Sequence, residues 1–257
     1  MILKKIIERT EERVKEERRS LLLPKREKGI VDFRASLERG AFSIIAEFKP
    51  SSPSGVRARW KLEEYIPRVS PCASAISVLT EPYWFKGSYL NLKKISLLTD
   101  RPLLFKDFVI DEIQVEAAYS FGADAVLLMY DVLGEDELRY LAKLVKAKGL
   151  QTLVEVSSPE DALSFDGAAY VDVLGINSRD FKTLKVDINR IARGGRVIEK
   201  SFPLAESGLK TSRDAFKVGA WGFRGALVGT SLMESPDPRT KCLHLKASGT
   251  EGLFWLP

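Results

Sequence analysis

The sequence predicts a (β/α)8 barrel, the TIM-barrel form of the α/β class, with an extra N-terminal helix ahead of the first strand. Three observations support this prediction. The 257 residues match the length that such barrels reach as a single unit. Eight short apolar runs recur along the chain, and their starts are about 19 to 33 residues apart. Helix-compatible stretches separate most of them, which predicts parallel strands buried on both faces by helices.

The chain before the first apolar run is predicted to be helical. Residues 2–19 place Leu3, Ile7 and Val14 near a seven-residue spacing, with charged residues between them. This pattern indicates an amphipathic helix whose charges face solvent. Residues 24–40 contain a proline and two glycines, so we expect a connecting segment with a short helix there.

The eight apolar runs are interpreted as strands in chain order. They are residues 42–46, 75–79, 103–105, 125–129, 152–156, 171–176, 202–205 and 225–228. The helix-compatible stretches between them are 112–121, 135–148, 158–165, 185–199 and 211–218. A doubly wound open sheet is the rival fold. It usually carries a glycine-rich phosphate loop after its first strand, and no GxGxxG follows the first run here.

The chain is predicted to form one domain, 1–257, with three regions. Residues 1–41 form an N-terminal helical extension, 42–233 the barrel, and 234–257 a C-terminal segment. Proline and glycine in that last segment predict against a long final helix, leaving at most a short one over 234–245.

Composition excludes several classes of protein. Hydrophobic residues make up 45% and charged residues 29%, as in ordinary globular domains. No apolar run approaches the roughly 18 residues of a membrane helix, and the N-terminus is too charged for a signal peptide, so a cytoplasmic protein is expected. Cys72 and Cys242 are far apart in sequence, which argues against a disulfide framework.

Charge and amide content add two expectations. The net charge of +5 suits an anionic ligand, but basic and acidic residues are interleaved, which argues against nucleic-acid binding. The chain has three asparagines and two glutamines but many lysines, arginines and glutamates. This pattern is typical of a thermophile.

The single histidine, His244, lies near the C-terminus. A histidine general base, a Ser-His-Asp triad and a multi-histidine metal site are therefore nearly excluded. Acid–base chemistry must come from lysine, aspartate, glutamate or tyrosine. We expect no metal, and no cofactor, since no dinucleotide fingerprint is present.

Charged residues cluster at the C-terminal ends of the predicted strands, where barrels of this kind carry their active sites. Glu47 and Lys49 end the first strand, Lys106 the third and Glu206 the seventh, while Glu155 lies in the fifth. Two lysines and three glutamates at one mouth are hard to explain as packing, because unpaired buried charges cost several kcal/mol.

A phosphate site is predicted beside these charges. Ser207 and Gly208 follow the seventh strand, and Gly229 and Thr230 follow the eighth. These two loops form the usual phosphate site of such barrels, where glycine lets backbone amides approach the phosphate oxygens and hydroxyls add donors. The alternative is an ordinary turn followed by a helix cap.

Several motifs resemble the indole-3-glycerol phosphate synthase family, the ring-closing decarboxylases of tryptophan biosynthesis. The most specific are E-x-K-x-x-SPS at 47–54, KDF at 106–108 and GIN-x-RD at 175–180. The resembling segments run in order over residues 40–235. They are IIAEFKPSSPSG (44–55), ISVLTEPYWFKGSYLNL (76–92), PLLFKDFVIDEIQV (102–115), GADAVLLM (122–129), TLVEV (152–156), GINSRDFKTLKVD (175–187), AESGL (205–209) and ALVGTSLM (226–233).

The resemblance implies a carbon–carbon carboxy-lyase acting on 1-(2-carboxyphenylamino)-1-deoxyribulose 5-phosphate. The pyrrole ring closes with loss of CO2 and water to give indole-3-glycerol phosphate. The expected partner is therefore a small phosphorylated substrate, with no nucleic acid and no membrane, and the protein is expected to be a monomer or weak homo-oligomer.

The resemblance also implies roles for the charged residues. Lys106 matches the general acid that protonates the ketone oxygen when the aromatic carbon attacks. Lys49 matches the second lysine, which pairs with the substrate carboxylate and is implicated in the later dehydration. Glu155 matches the carboxylate that keeps a lysine charged or transfers a proton as the hydroxyl leaves. Glu47 and Glu206 match carboxylates that bind substrate hydroxyls and orient the lysines, and Glu47 is a candidate base.

Further residues match positions that contact the substrate. Asn177 matches an amide that hydrogen-bonds the substrate, and Arg179 an arginine that supports the site. The expected substrate-binding residues are Ser52, Phe85, Phe108, Leu127 and Arg179, of which Phe85, Phe108 and Leu127 form an apolar wall for the aromatic ring. The chain departs from the family pattern at Pro50 and Ser51, where relatives often carry a lysine or alanine, and this change could alter the phosphate or carboxylate contacts.

Three other functions remain open from the residues alone. One is a class I aldolase-type barrel with Lys106 or Lys49 as a Schiff-base nucleophile. A second is a phosphate-binding barrel isomerase. A third is a ligand-binding module that keeps the phosphate site without catalysis.

Overall fold

The computed structural model is a closed barrel of eight parallel strands in chain order, with β8 pairing back to β1. The structure describes residues 2–52, 55, 58–180, 183 and 185–255. The strands are β1 Ser43–Phe48, β2 Ala75–Leu79, β3 Leu103–Lys106, β4 Ala125–Met129, β5 Gln151–Val156, β6 Val173–Asn177, β7 Phe202–Glu206 and β8 Gly225–Val228. The predicted barrel is confirmed, and the open doubly wound sheet is excluded because the sheet closes.

Helices pack around this barrel and at its two ends. They are α1 Ile2–Ser20, α2 Phe33–Glu38, α3 Leu62–Val69, α4 Tyr89–Ser96, α5 Glu112–Ser120, α6 Tyr130–Ala147, α7 Pro159–Phe165, α8 Ser212–Ala220, α9 Thr230–Met233 and α10 Pro238–Leu253. The regular turns of α6 are interrupted at Gly134, whose φ is +68°. The predicted N-terminal helix and the predicted short helix within 24–40 are both present, as α1 and α2.

The stretch 185–199 does not form the helix that its sequence was expected to allow. It contains two 3-10 turns, Ile188–Ile191 and Gly194–Val197. Arg193 between them has a φ of +63°, which breaks any right-handed helix. Gly195 packs against the backbone of Gly222 so closely that a Cβ would overlap it, and this contact holds the segment against the barrel.

The N-terminal extension contacts both ends of the barrel. Phe33 and Leu37 of α2 are fully buried and pack with Ile45 and Phe202 inside the strands. Asp32 caps this helix by accepting from the Ala35 amide at 2.8 Å, so its six residues begin at a fixed point. Helix α2 therefore closes the N-terminal end of the barrel, while α1 lies at the opposite end.

One charged residue of α1 contradicts the expectation that the charges of this helix face solvent. Arg13 is buried, and its guanidinium pairs with Asp107 of the loop after β3. A buried charge is tolerated where a partner compensates it. The seven-residue spacing of α1 gave no sign of this, because the partner is 94 positions away in sequence.

The prediction against a long final helix is wrong. Helix α10 spans 16 residues and docks on α8 and α3. Asp237 caps it by accepting from the Thr240 amide at 3.0 Å, and Pro238 occupies the first turn, where an amide has no helical partner anyway. Gly249 and Gly252 do not break the helix because they allow close packing, and a Cβ on either would overlap Phe42 or the α8 backbone.

Replacement of Gly249 by alanine should therefore destabilise the protein, although alanine favours helix by about 1 kcal/mol. The added Cβ would overlap the fully buried Phe42 ring. We expect the free energy of unfolding to fall by about 1 to 3 kcal/mol, measured by denaturant titration. Ser248→Ala, one position earlier in α10, should stay within about 0.5 kcal/mol of wild type. A stabilised Gly249→Ala variant would contradict the packing.

The two cysteines lie together despite their separation in sequence. Cys72 and Cys242 are both buried as free thiols, and the side chains belong to the same core cluster. The hydrogen bond with Cys242 lowers the pKa of Cys72 and, together with burial, raises the pKa of Cys242. Both thiols thus belong to the packing of α10 on the barrel.

Within the described ranges, no helix has both the length and the apolar character needed to span a bilayer.

Candidate active site

A cavity of about 830 Å³ opens at the C-terminal ends of the strands. Its size falls in the range of small-molecule sites. Every residue predicted for the site lines it, because the C-terminal ends of parallel strands meet at one end of a barrel. These residues are Glu47, Lys49, Ser52, Phe85, Lys106, Phe108, Leu127, Glu155, Asn177, Arg179, Glu206, Ser207, Gly208, Gly229 and Thr230. Of the SPS block that follows Lys49, Pro53 and Ser54 lie outside the described residues.

Lys106 lies at the centre of the charged side chains. Its Nζ donates to Glu206 Oε2 at 3.0 Å and lies 3.8 Å from Glu155 Oε2 and 3.9 Å from Glu47 Oε2. Burial alone would lower the pKa of Lys106, but the three carboxylates outweigh it and the pKa is raised. The lysine is therefore a charged ammonium that keeps its proton until a ligand changes its surroundings.

Glu47 links the two lysines of the site. Its Oε1 lies 2.9 Å from Lys49 Nζ, and its other oxygen faces Lys106. Burial alone would raise the pKa of Glu47, but the charges of Lys49 and Lys106 lower it overall. Glu47 is thus an ionised carboxylate that can act as a base.

Glu155 has the opposite protonation preference. Burial first, and then the negative charge of Glu206, raise the pKa of Glu155 well above its usual range, while Lys106 opposes the shift. Among the described residues, one oxygen of each of these two carboxylates is buried without a hydrogen-bond partner. A proton held on Glu155 would reduce the repulsion between the two groups. The site therefore combines a carboxyl group whose pKa is lowered, Glu47, with one whose pKa is raised, Glu155.

Two glycines make room for these carboxylates. A Cβ on Gly229 would overlap Glu47 Oε1, and a Cβ on Gly175 would overlap Glu206 Oε1. The sequence prediction assigned Gly229 to the approach of a phosphate, but its nearest neighbour is a carboxylate of the charged cluster. Gly175 was missed, although glycine inside a strand often marks such a close approach.

The apolar wall is formed from three parts of the chain. The ring centroids of Phe85 and Phe108 are 6.2 Å apart, and Leu127 of β4 lines the same cavity. Ile2 and Leu3 of α1 complete the lining, a contribution that sequence reasoning missed. The apolar spacing of α1 signalled a buried face but not that this face borders the cavity.

Glu81 fixes the loop that carries Phe85. Its carboxylate accepts from the amides of Tyr83, Trp84 and Phe85 at 2.8 to 2.9 Å. A buried carboxylate with three such donors holds its loop in one conformation. Glu81, just after β2, therefore has a structural role in this loop and does not belong to the charged cluster around Lys106.

The loops after β6, β7 and β8 form the remaining side of the cavity. Asn177 Oδ1 accepts from the Arg179 amide at 2.9 Å, and burial lowers the pKa of the Arg179 guanidinium despite the nearby carboxylates. Ser207 and Gly208 have φ values of +65° and +85°. For a serine this left-handed conformation costs about 1 to 3 kcal/mol, and such strain is concentrated at functional sites. Ser231 Oγ donates to the Leu209 carbonyl at 2.8 Å and so joins the loops after β7 and β8.

Replacement of Gly229 by alanine should act through Glu47. The new Cβ would displace the carboxylate from Lys49, and a shift of about 1 Å in a catalytic group can cost about 100-fold. We expect kcat to fall about 10- to 100-fold. Because the effect passes through Glu47, the double variant with Glu47→Gln should be no slower than Glu47→Gln alone. Independent, multiplicative losses would show that Gly229 acts elsewhere.

The raised pKa of Glu155 gives a pH-dependent stability. Above the unfolded-state pKa of about 4.3, Glu155 keeps a proton in the folded protein that it has lost in the unfolded chain. The free energy of unfolding therefore falls as the pH rises, by up to about 1.4 kcal/mol per pH unit. The fall ends where Glu155 ionises in the folded protein as well. Glu155→Gln removes this loss. Its Tm relative to wild type should increase as the pH is raised above about 4.3. The exposed Glu11→Gln is the control, and a pH-independent difference for Glu155→Gln would contradict the protonation assigned here.

Comparison with known proteins agrees with this geometry. The family model described as "Indole-3-glycerol phosphate synthase" matches residues 3–245. The chain belongs to the indole-3-glycerol phosphate synthase family. A protein of that name from Pyrobaculum aerophilum is 40% identical over 215 residues, which cover 83% of this chain and 85% of that protein. Another, from Caldanaerobacter subterraneus subsp. tengcongensis, is 40% identical over 222 residues, covering 85% and 86%.

Solved structures of lower identity support the fold alone. The 3-hexulose-6-phosphate synthase of Salmonella typhimurium superposes with a TM-score of 0.65 at 15% identity, covering 82% of this chain and 99% of that one. The barrel is thus common to proteins of different names.

The surroundings of Lys106 bear on the aldolase alternative that the sequence left open. In that alternative a lysine forms a Schiff base with the substrate, and it needs a lowered pKa to be a nucleophile. The pKa of Lys106 is raised instead, which argues against a Schiff-base role for this lysine. His244 is exposed on α10. Within the described part of the chain, no group of three or more histidine, cysteine, aspartate or glutamate side chains could hold a metal ion.

Proposed function

We propose that this protein catalyses ring closure of 1-(2-carboxyphenylamino)-1-deoxyribulose 5-phosphate to indole-3-glycerol phosphate, with loss of CO2 and water. The observation that carries the proposal is the Lys106 ammonium, held among three carboxylates in a cavity with an apolar wall. Within the indole-3-glycerol phosphate synthase family, this arrangement supports acid catalysis on an anionic aromatic substrate.

The cavity suggests how the substrate lies. Its aromatic ring would pack against Phe85, Phe108 and Leu127, and its carboxylate would pair with Lys49. The phosphate would lie between the loops after β7 and β8, among Ser207, Gly208, Gly229 and Thr230, which line the cavity together. The ketone then lies between these two ends, next to Lys106. Ser52, Asn177 and Arg179 border the same space and would bind the polar parts of the chain.

The first step forms the new carbon–carbon bond. The ring carbon that bears the carboxylate attacks the ketone carbon, and the ketone oxygen takes a proton from Lys106, so that no alkoxide has to form. General acid catalysis of this kind contributes typically about 10² to 10⁴-fold.

The later steps restore aromaticity twice. The bond to the carboxylate breaks, CO2 leaves, and the electron pair returns to the benzene ring. Loss of water then requires an acid for the departing hydroxyl and a base for a ring proton. The raised pKa of Glu155 favours its protonated form and suits the first role, and the lowered pKa of Glu47, beside Lys49, favours its ionised form and suits the second.

The Lys106→Met variant tests the proposal most directly. Methionine keeps much of the side-chain volume but has no proton to give, so kcat should fall by about 10² to 10⁴-fold. Appearance of indole fluorescence on addition of the substrate measures the rate. Lys94→Met, on the outer helix α4, is the matched control and should retain wild-type activity. Wild-type kcat in Lys106→Met would refute the assignment, and borohydride trapping of a substrate–lysine adduct would favour an aldolase mechanism instead.

We also propose that the protein works in the cytoplasm as a monomer or weak homo-oligomer, without nucleic acid or metal. Its few asparagines and glutamines and its many charged residues support an origin in a thermophile.

A further inference from the structure

We propose that Arg13 of α1 is a positioning residue for the reaction. It acts through Asp107, which follows Lys106 directly in the chain, and so holds Lys106 and Phe108 in their working geometry. The inference rests on the proposed function, in which Lys106 is the acid and Phe108 contacts the substrate ring.

The contact at the centre of this inference is a fully enclosed ion pair. Arg13 Nη2 donates to Asp107 Oδ1 at 2.8 Å, with the side chains 6% and 0% exposed. The same carboxylate accepts from the Phe108 amide at 2.8 Å and from Thr80 Oγ1 at 2.8 Å. Asp107 is therefore held from three directions, by α1, by the end of β2 and by its own loop.

These bonds reach the backbone of Lys106. The Thr80 amide donates to the Lys106 carbonyl at 3.0 Å, while the Thr80 hydroxyl donates to Asp107. The Lys106 carbonyl and the Asp107 side chain are thereby both hydrogen-bonded to Thr80, the residue that follows β2. The hydrogen bond from Arg13 holds the Asp107 carboxylate in place, and the peptide that joins Asp107 to Lys106 orients the lysine side chain toward Glu206.

On its outer side, Arg13 makes an ion contact through Nε, which has no hydrogen-bond partner among the described residues. Its Nε lies 3.6 Å from Glu17 Oε1, and the other oxygen of Glu17 accepts from the Tyr89 hydroxyl at 3.0 Å. The Tyr89 ring stacks on Phe105 of β3, with 5.7 Å between the ring centroids. Helix α1 is thus coupled to β3 on both sides of the arginine, and β3 is the strand that ends in Lys106.

The chain contains a matched ion pair at the other end of the barrel. Arg26 Nη2 pairs with Asp124 Oδ1 at 2.8 Å, again with side chains 6% and 0% exposed. Arg26 also donates to the carbonyls of Tyr119 and Ala123. Asp124 precedes β4, at the N-terminal face, where barrels carry stability rather than catalysis. Both arginines belong to the N-terminal extension. Arg13 forms its ion pair at the C-terminal face of the barrel, and Arg26 forms its ion pair at the N-terminal face.

The experiment compares Arg13→Met with Arg26→Met in the full chain, assayed well below the lower of their Tm values. Both variants lose a buried ion pair, so we expect Tm to fall by about 5 to 15 °C in each. Only Arg13→Met should lose kcat, by about 10- to 100-fold with KM changed less than about threefold. Arg26→Met should keep kcat within about twofold of wild type.

Two further variants show whether the effect passes through Lys106. The double variant Arg13→Met, Lys106→Met should be no slower than Lys106→Met alone. Arg13→Lys, which keeps the charge but not the two-pronged guanidinium, should recover part of the lost kcat. If Arg13→Met does not fold, Thr80→Val, which removes a hydroxyl donor to Asp107 and leaves α1 intact, should lower kcat about 3- to 30-fold.

The outcomes separate this inference from the proposed function. A wild-type protein that makes no indole product from the substrate would overturn the proposed function itself. An active wild type for which Arg13→Met and Arg26→Met have equal kcat, or for which Thr80→Val keeps wild-type kcat, would overturn the positioning role alone.

Discussion

The active site depends on one buried ammonium group, Lys106 Nζ, and on the carboxylates that compensate it. A charge enclosed in a barrel is stable only with partners at short range, and Glu206, Glu155 and Glu47 supply them from three different strands. Burial and the neighbouring charge of Glu206 raise the pKa of Glu155, whereas the charges of Lys49 and Lys106 lower the pKa of Glu47. Charge compensation thus also sets which groups can give and take protons.

The closed barrel makes this arrangement possible because each charged group stands on a separate rigid strand. Strands β1, β3, β5 and β7 each contribute one member, and alternate strands direct side chains into the same layer of a barrel. Because Gly175 and Gly229 have no side chains, they leave room for the carboxylates of this group. A site built in this way needs little rearrangement to hold a substrate, which agrees with the role of preorganised charge in catalysis.

Much of the fold and of the site could be predicted because the signals were local. Each predicted strand lies within two residues of an observed one, and the residues at the strand ends meet because parallel strands share an end. The features that escaped prediction depend on distant partners. Gly249 was read as a helix breaker because Phe42, which it packs against, is far away in sequence. Arg13 was read as one more solvent-facing charge because Asp107 is 94 residues away.

That distance also has a consequence for the order of events when the protein is made. At a synthesis rate of about 5 to 20 residues per second, Asp107 is made about 5 to 20 seconds after Arg13. During this interval α1 has neither its ion pair nor the strand on which it docks. Most of its side chains are charged and stay exposed even in the folded protein. The nascent helix can therefore remain hydrated without exposing a large apolar surface to other chains, until β3 is complete and the arginine is withdrawn from water.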